Sequence, residues 1–266
     1  MWRNSCINDT YEPGSTFKIL TASAALDSGV TTPEDSFYCS AKITVDGDPI
    51  RCWGQPHGAE TMAEGLQNSC NPVFVELALR MGTDTFYRYL TAFGLGKTTG
   101  IDLPGESAGL LIGSRYVKNV DLARIGFGQS VAVTPLQLMM AANACINGGK
   151  VMKPYLVAEI QSADGEVLQR TNPTVRSTPI STETSDTMRE LLELVVTQGG
   201  GKNAAVPGYR IGGKTGTAQV YKDGKIARDV HIGSFYGFAP VEDPQISVMV
   251  VVKEAQVPVD YGSTTA

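Results

Sequence analysis

An eight-residue stretch, residues 11–18, constrains the fold and chemistry of this chain more than any other. It reads Y-E-P-G-S-T-F-K. Pro13 and Gly14 interrupt regular structure, and the Ala- and Leu-rich residues that follow predict a helix over residues 17–28. We therefore expect Ser15 in the first turn of this helix. There, free backbone N–H groups and the positive end of the helix dipole favour negative charge on or beside the serine oxygen.

Lys18 follows Ser15 by three residues and shares its helical face. A serine hydroxyl is a weak nucleophile until a base takes its proton, and an amine can be that base. Lowering the pKa of a lysine from about 10.4 to about 7 corresponds to roughly 4.6 kcal/mol, which burial and nearby positive charge can supply. Because S-x-x-K recurs by chance, the motif alone fits a helix cap better than a catalytic pair.

Two further triplets favour the catalytic interpretation. S-C-N occupies residues 69–71 and K-T-G occupies residues 214–216. S-x-x-K, S-D-N and K-T-G in this order are the known signature of penicillin-binding proteins and class A β-lactamases. The first triplet opens a predicted helix, the second lies between predicted helices, and the third lies in a predicted strand.

With these motifs the chain resembles the class B penicillin-binding proteins, D,D-transpeptidases that cross-link peptidoglycan. The resemblance covers nearly the whole chain and includes N-S-C-N-P at residues 68–72, F-G-Q-S-V-A-V-T-P-L-Q at 127–137 and G-G-K-T-G-T-A-Q at 212–219. C-W at Cys52 and H-G at His57 look most like the sporulation-associated branch.

The resemblance implies an α+β fold, in which an antiparallel sheet is combined with a helical region. It implies a single transpeptidase domain over residues 1–266. It also implies that a membrane anchor, a pedestal region, upstream strands and a C-terminal helix lie outside this sequence. We therefore expect a domain shortened at both ends, with incomplete cover on its sheet.

The family's reaction assigns three catalytic residues. Ser15 attacks the penultimate D-Ala carbonyl of a stem peptide, Lys18 is the base, and Ser69 relays a proton to the leaving amine. An amine from a second stem then resolves the acyl-enzyme. The backbone N–H groups of Ser15 and Thr217 would form the oxyanion hole. The resemblance implies no metal ligand and no cofactor, and it assigns substrate binding to Asn71, Lys214, Thr215, Gly216 and Thr217.

Net charge and hydropathy limit the classes of partner that this chain can be expected to bind. The net charge is −5, from 22 basic and 27 acidic residues. Without a basic run, nucleic acid is not an expected partner. No apolar run of 18 residues is present. By resemblance, the expected partners are stem peptides, β-lactams, and a glycosyltransferase or membrane proteins of division or sporulation. The expected location is the extracytoplasmic side of the bacterial membrane.

Other classes of protein fit less well. A Ser-His-Asp hydrolase would need His57 or His231, and neither accompanies a G-x-S-x-G elbow. A class A β-lactamase has Asp where this chain has Cys70, and it requires a deacylating Glu that no motif identifies. A penicillin sensor or hydrolase, and a catalytically idle cell-wall scaffold, remain as alternatives.

Local patterns predict the remaining elements. Hairpins are expected around Asp46-Gly47 and within residues 155–170. Residues 97–100, K-T-T-G, are similar to the third triplet but are predicted to form a loop. Further helices are predicted at 61–68, 72–82, 84–93, 134–146 and 181–197. Strands are predicted at 210–221, 231–238 and 246–253, with the first two joined by Asp223-Gly224.

The K-T-G strand has a defined two-sided pattern. Lys214 and Gly216 are expected on one face, and Thr215 and Thr217 on the other. The glycines at positions 212, 213 and 216 are expected to leave room for a substrate backbone, so that a peptide adds to this strand as an extra one.

Five cysteines leave at least one unpaired within the chain. Cys39 and Cys52 flank the first predicted hairpin, so a disulfide between them and a set of five free thiols are both open. Cys6, Cys70 and Cys145 are expected to lie apart from that pair.

Overall fold

The computed structural model describes residues 3–222, 225–255, 257 and 261–266, with the backbone alone for 219–222 and 225–229. The predicted Asp223-Gly224 turn lies outside the described residues. The helices are α1 (Ser5–Asn8), α2 (Lys18–Asp27), α3 (Met62–Gln67), α4 (Asn71–Ala92), α5 (Asn119–Gly126), α6 (Pro135–Ala144), α7 (Thr182–Thr197) and α8 (Gly262–Thr265). Single 3-10 turns are found at Gly14–Phe17, Ser114–Tyr116 and Lys202–Ala204.

The strands are short except near the carboxyl end. They are β1 (Ser36–Cys39), β2 (Lys42–Val45), β3 (Asp48–Arg51), β4 (Gly58–Thr61), β5 (Leu110–Leu111), β6 (Val131–Ala132), β7 (Val151–Met152), β8 (Glu159–Gln161), β9 (Val167–Arg170), β10 (Val175–Ser177), β11 (Gly212–Lys222), β12 (Lys225–Ala239) and β13 (Ile246–Lys253).

The helix after the serine motif is confirmed and forms the centre of the core. The 3-10 turn at Gly14–Phe17 leads directly into α2, whose residues from Lys18 to Ala25 are all buried. Helix α2 packs against α4 and α7. The serine motif therefore lies between these helices and strand β11, which contacts the 3-10 turn.

The other predicted helices are also confirmed. Thr61 and Thr134 form capping boxes at the starts of α3 and α6, and Ser181 caps α7. The two helices predicted over 72–82 and 84–93 are the halves of α4, which is interrupted at Gly82, where φ is 71°. A glycine accepts this positive φ at low cost, so the first helix ends at Gly82 and the second begins directly after it.

The three long strands form the largest sheet, in the order β11-β12-β13, with both pairs antiparallel. The K-T-G triplet lies on the edge strand β11, where Lys214 pairs with Tyr236 and Thr217 with Gly233. Helix α7 and the 3-10 turn of the serine motif both contact β11. A helical region against an antiparallel sheet confirms the α+β class.

The smaller predicted features are confirmed as well. Strands β2 and β3 pair around Asp46-Gly47, and β8 pairs with β9. The K-T-T-G segment at residues 97–100 is a loop, in which Thr99 donates its N–H to the Glu106 carboxylate over 2.7 Å. Within the described residues, none of the helices has both the length and the apolar character needed to cross a bilayer.

Candidate active site

Ser15 lies in a turn that neighbouring backbone holds in position. Gly14 has φ +57°, and its N–H donates to the Gly128 carbonyl over 3.0 Å. Tyr11 and Val133 exchange two backbone hydrogen bonds of 3.0 Å. The F-G-Q-S-V-A-V stretch therefore acts as a brace for the serine motif. Ser15 itself is half-buried at the start of the helical segment.

Lys18 is fully buried and faces the second triplet. Its Nζ donates to the Ser69 carbonyl over 2.6 Å, to Asn71 Oδ1 over 2.7 Å and to Ser69 Oγ over 3.2 Å. In the part of the chain that the structure describes, Lys18 makes no hydrogen bond to Ser15. The amine is thus joined to the S-C-N triplet, one helical turn from the serine it is expected to activate.

Ser69 lies between two buried lysines. Lys214 Nζ donates to Ser69 Oγ over 3.0 Å, so this hydroxyl contacts amines from the first and the third triplets. Ser69 has φ +56°, a left-handed conformation that costs a non-glycine residue of order 1–3 kcal/mol and is found most often at functional sites. The strained turn points the hydroxyl towards both amines.

Burial changes the proton affinity of both amines. It lowers the pKa of Lys18 to about 8, against the opposing effect of nearby acidic groups. Burial lowers the pKa of Lys214 well below its usual value, and the positive charge of Lys18 lowers it further. Because both pKa values are lowered, the state in which both lysines are protonated is disfavoured. The site can therefore hold a neutral amine close to physiological pH.

Asn71 connects this site to the end of β3. It is the first residue of α4, its Oδ1 accepts from Lys18, and its Nδ2 donates to the Arg51 carbonyl over 3.0 Å. The amide orientation is thus set by a cation on one side and a carbonyl on the other.

The K-T-G strand lies against the serine turn. A Cβ on Gly14 would lie 2.8 Å from the Thr217 carbonyl oxygen, so the chain at Ser15 and the chain at Thr217 are adjacent. Burial alternates as predicted, with Lys214 and Gly216 buried, and Thr215 and Thr217 half-buried. The structure therefore brings all three motifs together at one site.

The space expected beside the strand glycines is occupied by the protein itself. A Cβ on Gly212 would lie 2.4 Å from the Phe238 ring, and one on Gly213 would lie 2.5 Å from the Phe235 ring. A Cβ on Gly216 would lie 2.5 Å from Ser234 Oγ and 2.9 Å from Thr16. These positions are filled by the protein's own side chains rather than left open for substrate. The glycines permit β11 to pack against β12 and the serine turn.

Thr217 also contacts the carboxyl-terminal residues. The Gly262 N–H donates to Thr217 Oγ1 over 3.0 Å, and Asn203 Nδ2 donates to the Ser263 carbonyl over 2.7 Å. Residues 262–266 therefore border the K-T-G strand next to Thr215. No sequence pattern indicated a role for this segment.

The cysteines do not pair as the disulfide alternative required. Cys39 and Cys52 are both free thiols. Cys70, which was expected to lie apart, is grouped with these two and with His57, and their ligand atoms all lie within 4.8 Å of one another. The sequence signal that we missed is the order Cys-Cys-His-Cys leading into the second triplet. Spacing alone did not reveal it because the four residues come from different elements.

Comparison with known proteins agrees with this geometry. The sequence profile of the family described as "Penicillin binding protein transpeptidase domain" matches residues 1–266. The chain is 46% identical to stage V sporulation protein D of Bacillus subtilis, over 99% of this chain and 41% of that protein. It is 32% identical to the peptidoglycan D,D-transpeptidase PbpA of Mycolicibacterium smegmatis, over 94% of this chain and 51% of that protein.

A solved structure shows the same fold. Penicillin-binding protein 3 of Mycobacterium tuberculosis, complexed with aztreonam, superimposes with a TM-score of 0.90 at 30% identity, over 96% of this chain and 59% of that one. The chain thus spans about half of the length of these relatives. Since the family profile covers the whole chain and the three triplets meet at one site, the chain belongs to the class B penicillin-binding protein transpeptidase domains.

Proposed function

We propose that this domain is a peptidoglycan D,D-transpeptidase that works through an acyl-enzyme on Ser15. One observation carries the proposal: Ser69 Oγ lies 3.2 Å from Lys18 Nζ and 3.0 Å from Lys214 Nζ, beside the turn that holds Ser15. These contacts support the assignment of a nucleophile, a base with a lowered pKa and a proton relay to one site.

The acylation step uses Lys18 as the general base. The neutral amine takes the Ser15 Oγ proton while Oγ attacks the penultimate D-Ala carbonyl carbon. The oxyanion is stabilised by the N–H groups of Ser15 and Thr217, each worth about a hundredfold or more. Lys18 must turn from the S-C-N triplet towards Ser15, an adjustment that fits the loose hydrogen bonding of catalytic groups before substrate binds.

Ser69 delivers the proton to the leaving group. When the C–N bond breaks, the Ser69 hydroxyl gives its proton to the D-Ala amine and recovers one from protonated Lys18, whose Nζ is already in contact. The acceptor amine of a second stem then attacks the acyl carbonyl. Ser15 leaves as the free hydroxyl after the reverse proton transfer.

Substrate recognition uses the two remaining triplets. Asn71 binds the stem-peptide amide, and β11, with Gly216, offers an edge along which the peptide extends as a strand. Thr215, Thr217 and Lys214 bind the terminal carboxylate. Thr217 accepts a hydrogen bond from Gly262, which leaves its hydroxyl proton free to donate to an anion. A bound carboxylate would also favour the charged form of Lys214.

The setting of the reaction follows from the relatives. β-Lactams occur in complexes of this family, as in the aztreonam structure, and we infer that they acylate Ser15 here. We infer an extracytoplasmic location at the bacterial membrane, and a glycosyltransferase or membrane proteins of division or sporulation as partners. The similarity to stage V sporulation protein D supports the second inference.

The test is a product assay with a stem-peptide mimic ending in D-Ala-D-Ala, with and without an amine acceptor. We expect D-Ala release together with an amide product that appears only with the acceptor. Release of D-Ala to water alone, with rapid turnover of penicillin, would support the hydrolase alternative. Absence of both acylation by benzylpenicillin and D-Ala release would support the idle scaffold.

The brace behind the serine turn gives a separate prediction. Gly128 has φ +86°, and a Cβ there would lie 2.0 Å from the Gly14 carbonyl oxygen. Gly165 has φ +83° with no atom within 4 Å of its Cβ position, so it is a matched control for backbone strain alone. We expect Gly165→Ala to cost about 1–2 kcal/mol of stability and to leave acylation unchanged.

For Gly128→Ala we expect the collision to displace Gly14 and Ser15, with a larger loss of stability. Penicillin acylation should slow by about a hundredfold because a shift of about 1 Å suffices for that. Thermal unfolding and labelling with a fluorescent penicillin measure both quantities. Equal effects of the two alanines on acylation would show that the brace does not position the nucleophile.

A further inference from the structure

An exposed tryptophan lies beside the turn that carries Ser69 and Asn71. Trp53 is 70% exposed, and its indole Nε1 donates to the Asn68 carbonyl over 2.9 Å. This hydrogen bond fixes one edge of the ring to the backbone directly before the S-C-N triplet. Most of the ring stays accessible to a ligand, and the catalytic steps above give this side chain no role.

Two further contacts hold the tryptophan in place. The Arg51 carbonyl, two residues earlier in the chain, accepts from Asn71 Nδ2 over 3.0 Å. The centroid of the half-buried His57 ring lies 6.0 Å from that of the indole, within the range of an aromatic contact. Residues 51–53 are thus joined to both ends of the turn at residues 68–71. An aromatic ring held in this way loses little conformational entropy when a ligand binds to it.

Asn71 directs a bound substrate to the same place. A side-chain amide nitrogen carries two hydrogens, and Nδ2 gives one of them to the Arg51 carbonyl. The other can be donated to the stem-peptide carbonyl that we assign to Asn71. That carbonyl would lie about 3 Å from Nδ2, next to the loop that carries Trp53. The side chain of the same stem residue, the one before D-Ala-D-Ala, therefore comes within reach of the indole.

The chemistry of an indole limits what it can bind there. Its face is apolar and carries a negative potential, so it binds an aliphatic chain and also attracts a cation within about 6 Å of the ring centroid. In the proposed reaction an amine of a second stem attacks the acyl-enzyme. Because donor and acceptor stems belong to the same polymer, the donor stem has an amine-bearing side chain as well. An aliphatic chain that ends in an ammonium group matches both properties of the ring.

We propose that Trp53 forms a subsite for the amine-bearing side chain of the donor stem, at the S-C-N side of the active site. The inference rests on the proposed function and adds to it the residue that selects the donor. The aliphatic part of the donor side chain lies against the ring, and its ammonium group lies over the ring face. The D-Ala-D-Ala end remains with the K-T-G strand. Trp53 thus determines specificity and takes no part in proton transfer.

A purely structural role accounts for the tryptophan less well. Single exposed aromatic residues are common, and Tyr209 is also 70% exposed. Trp53 differs because its ring is bonded to the catalytic turn. An aromatic side chain that serves only the core is buried by its neighbours, as Phe74 and Phe86 are. Removal of the largely exposed Trp53 should therefore cost little packing, and its variants are expected to fold.

The first test compares three donor mimics that end in D-Ala-D-Ala. The residue before this dipeptide is lysine, Nε-acetyl-lysine or alanine. With the parent protein we expect KM to be lowest for the lysine mimic and highest for the alanine mimic. Trp53→Ala should raise KM about tenfold for the lysine mimic and less than twofold for the alanine mimic, with kcat unchanged. Equal KM values for the three mimics with the parent protein would overturn the subsite.

Two further variants control for the ring and for the surface. Trp53→Phe keeps an aromatic face and loses the N–H that binds the Asn68 carbonyl. It should retain the preference for the lysine mimic, with KM raised about twofold to threefold. Tyr209→Ala removes an aromatic side chain of equal exposure and should behave as the parent does. A similar loss of preference in Tyr209→Ala would show that the preference does not arise at Trp53.

Benzylpenicillin separates this inference from the proposed function. Its side chain carries no amine, so Trp53→Ala should be acylated within about threefold of the parental rate. If Trp53→Ala slows penicillin acylation and the reactions of all three mimics alike, the ring supports the turn and the subsite is disproved.

If the parent protein neither releases D-Ala nor is acylated, the proposed function fails. Calorimetric titration of the three mimics then decides the subsite by itself. Tighter binding of the lysine mimic that is lost in Trp53→Ala would support it, and equal binding of the three mimics would overturn it.

Discussion

Replacing Ser15 with alanine is expected to abolish the covalent adduct with benzylpenicillin. Ser15 lies at the start of a buried helix, with Lys18 one turn away. The loss should be complete within the sensitivity of intact-mass measurement, because the acyl bond forms on the missing atom. The fold should persist, since Ser15 is half-buried and alanine suits a helix start of this kind.

Ser28→Ala is the matched control. Ser28 caps the other end of the same helix, where its hydroxyl donates to the Ala25 carbonyl over 3.2 Å, away from the cleft. It should cost at most about 1 kcal/mol of stability and leave the adduct intact. Peptide mapping of the parent protein should locate the adduct on Ser15. An adduct that remains in Ser15→Ala at the parental rate would disprove the nucleophile assignment.

Local sequence signals predicted most of the elements that carry the site. Pro13 and Gly14 before an apolar run, the capping boxes at Thr61 and Thr134, and the strand pattern around the K-T-G triplet all act within a few residues. Such signals depend on backbone conformation and near neighbours, so they can be read before the fold is known. The order of the triplets then predicted which elements had to meet.

What the sequence did not predict depends on contacts between distant segments. Ser69 has a left-handed conformation, and its hydroxyl contacts Lys18 and Lys214, which come from two other elements. The glycines at 212 and 213 looked like space for substrate because glycine marks any close approach, and only the fold shows that Phe238 and Phe235 fill that space.

The cysteines show the same limitation. Cys39 and Cys52 flank a hairpin, and chain proximity favoured a bridge between them. The ladder between β1 and β4 brings His57 to the same point, and the S-C-N turn adds Cys70. The distances along the sequence do not predict that His57 and Cys70 join this pair, since the segments that connect them could have many lengths. The group was therefore found only in three dimensions.

Replacing Lys18 with methionine is expected to slow penicillin acylation by a factor of about 10² to 10⁴, the range for loss of a general base. Methionine keeps most of the buried volume and removes the amine. Burial holds the pKa of Lys18 at about 8, so in the parent protein the neutral, proton-accepting form increases as pH rises through that value. The parental acylation rate should therefore rise through about pH 8 and then level off, and Lys18→Met should lack this step.

Lys214→Met separates base catalysis from charge. Lys214 is buried to the same degree and contacts the same Ser69 hydroxyl, but we assign it to carboxylate binding. Its loss should weaken binding of a D-Ala-D-Ala substrate, seen as a raised KM, while the pH step of acylation remains. Stopped-flow acylation with a chromogenic cephalosporin between pH 6 and 10 gives both profiles. Loss of the step in Lys214→Met but not in Lys18→Met would transfer the role of base to Lys214, which would then have to reach Ser15 through Ser69.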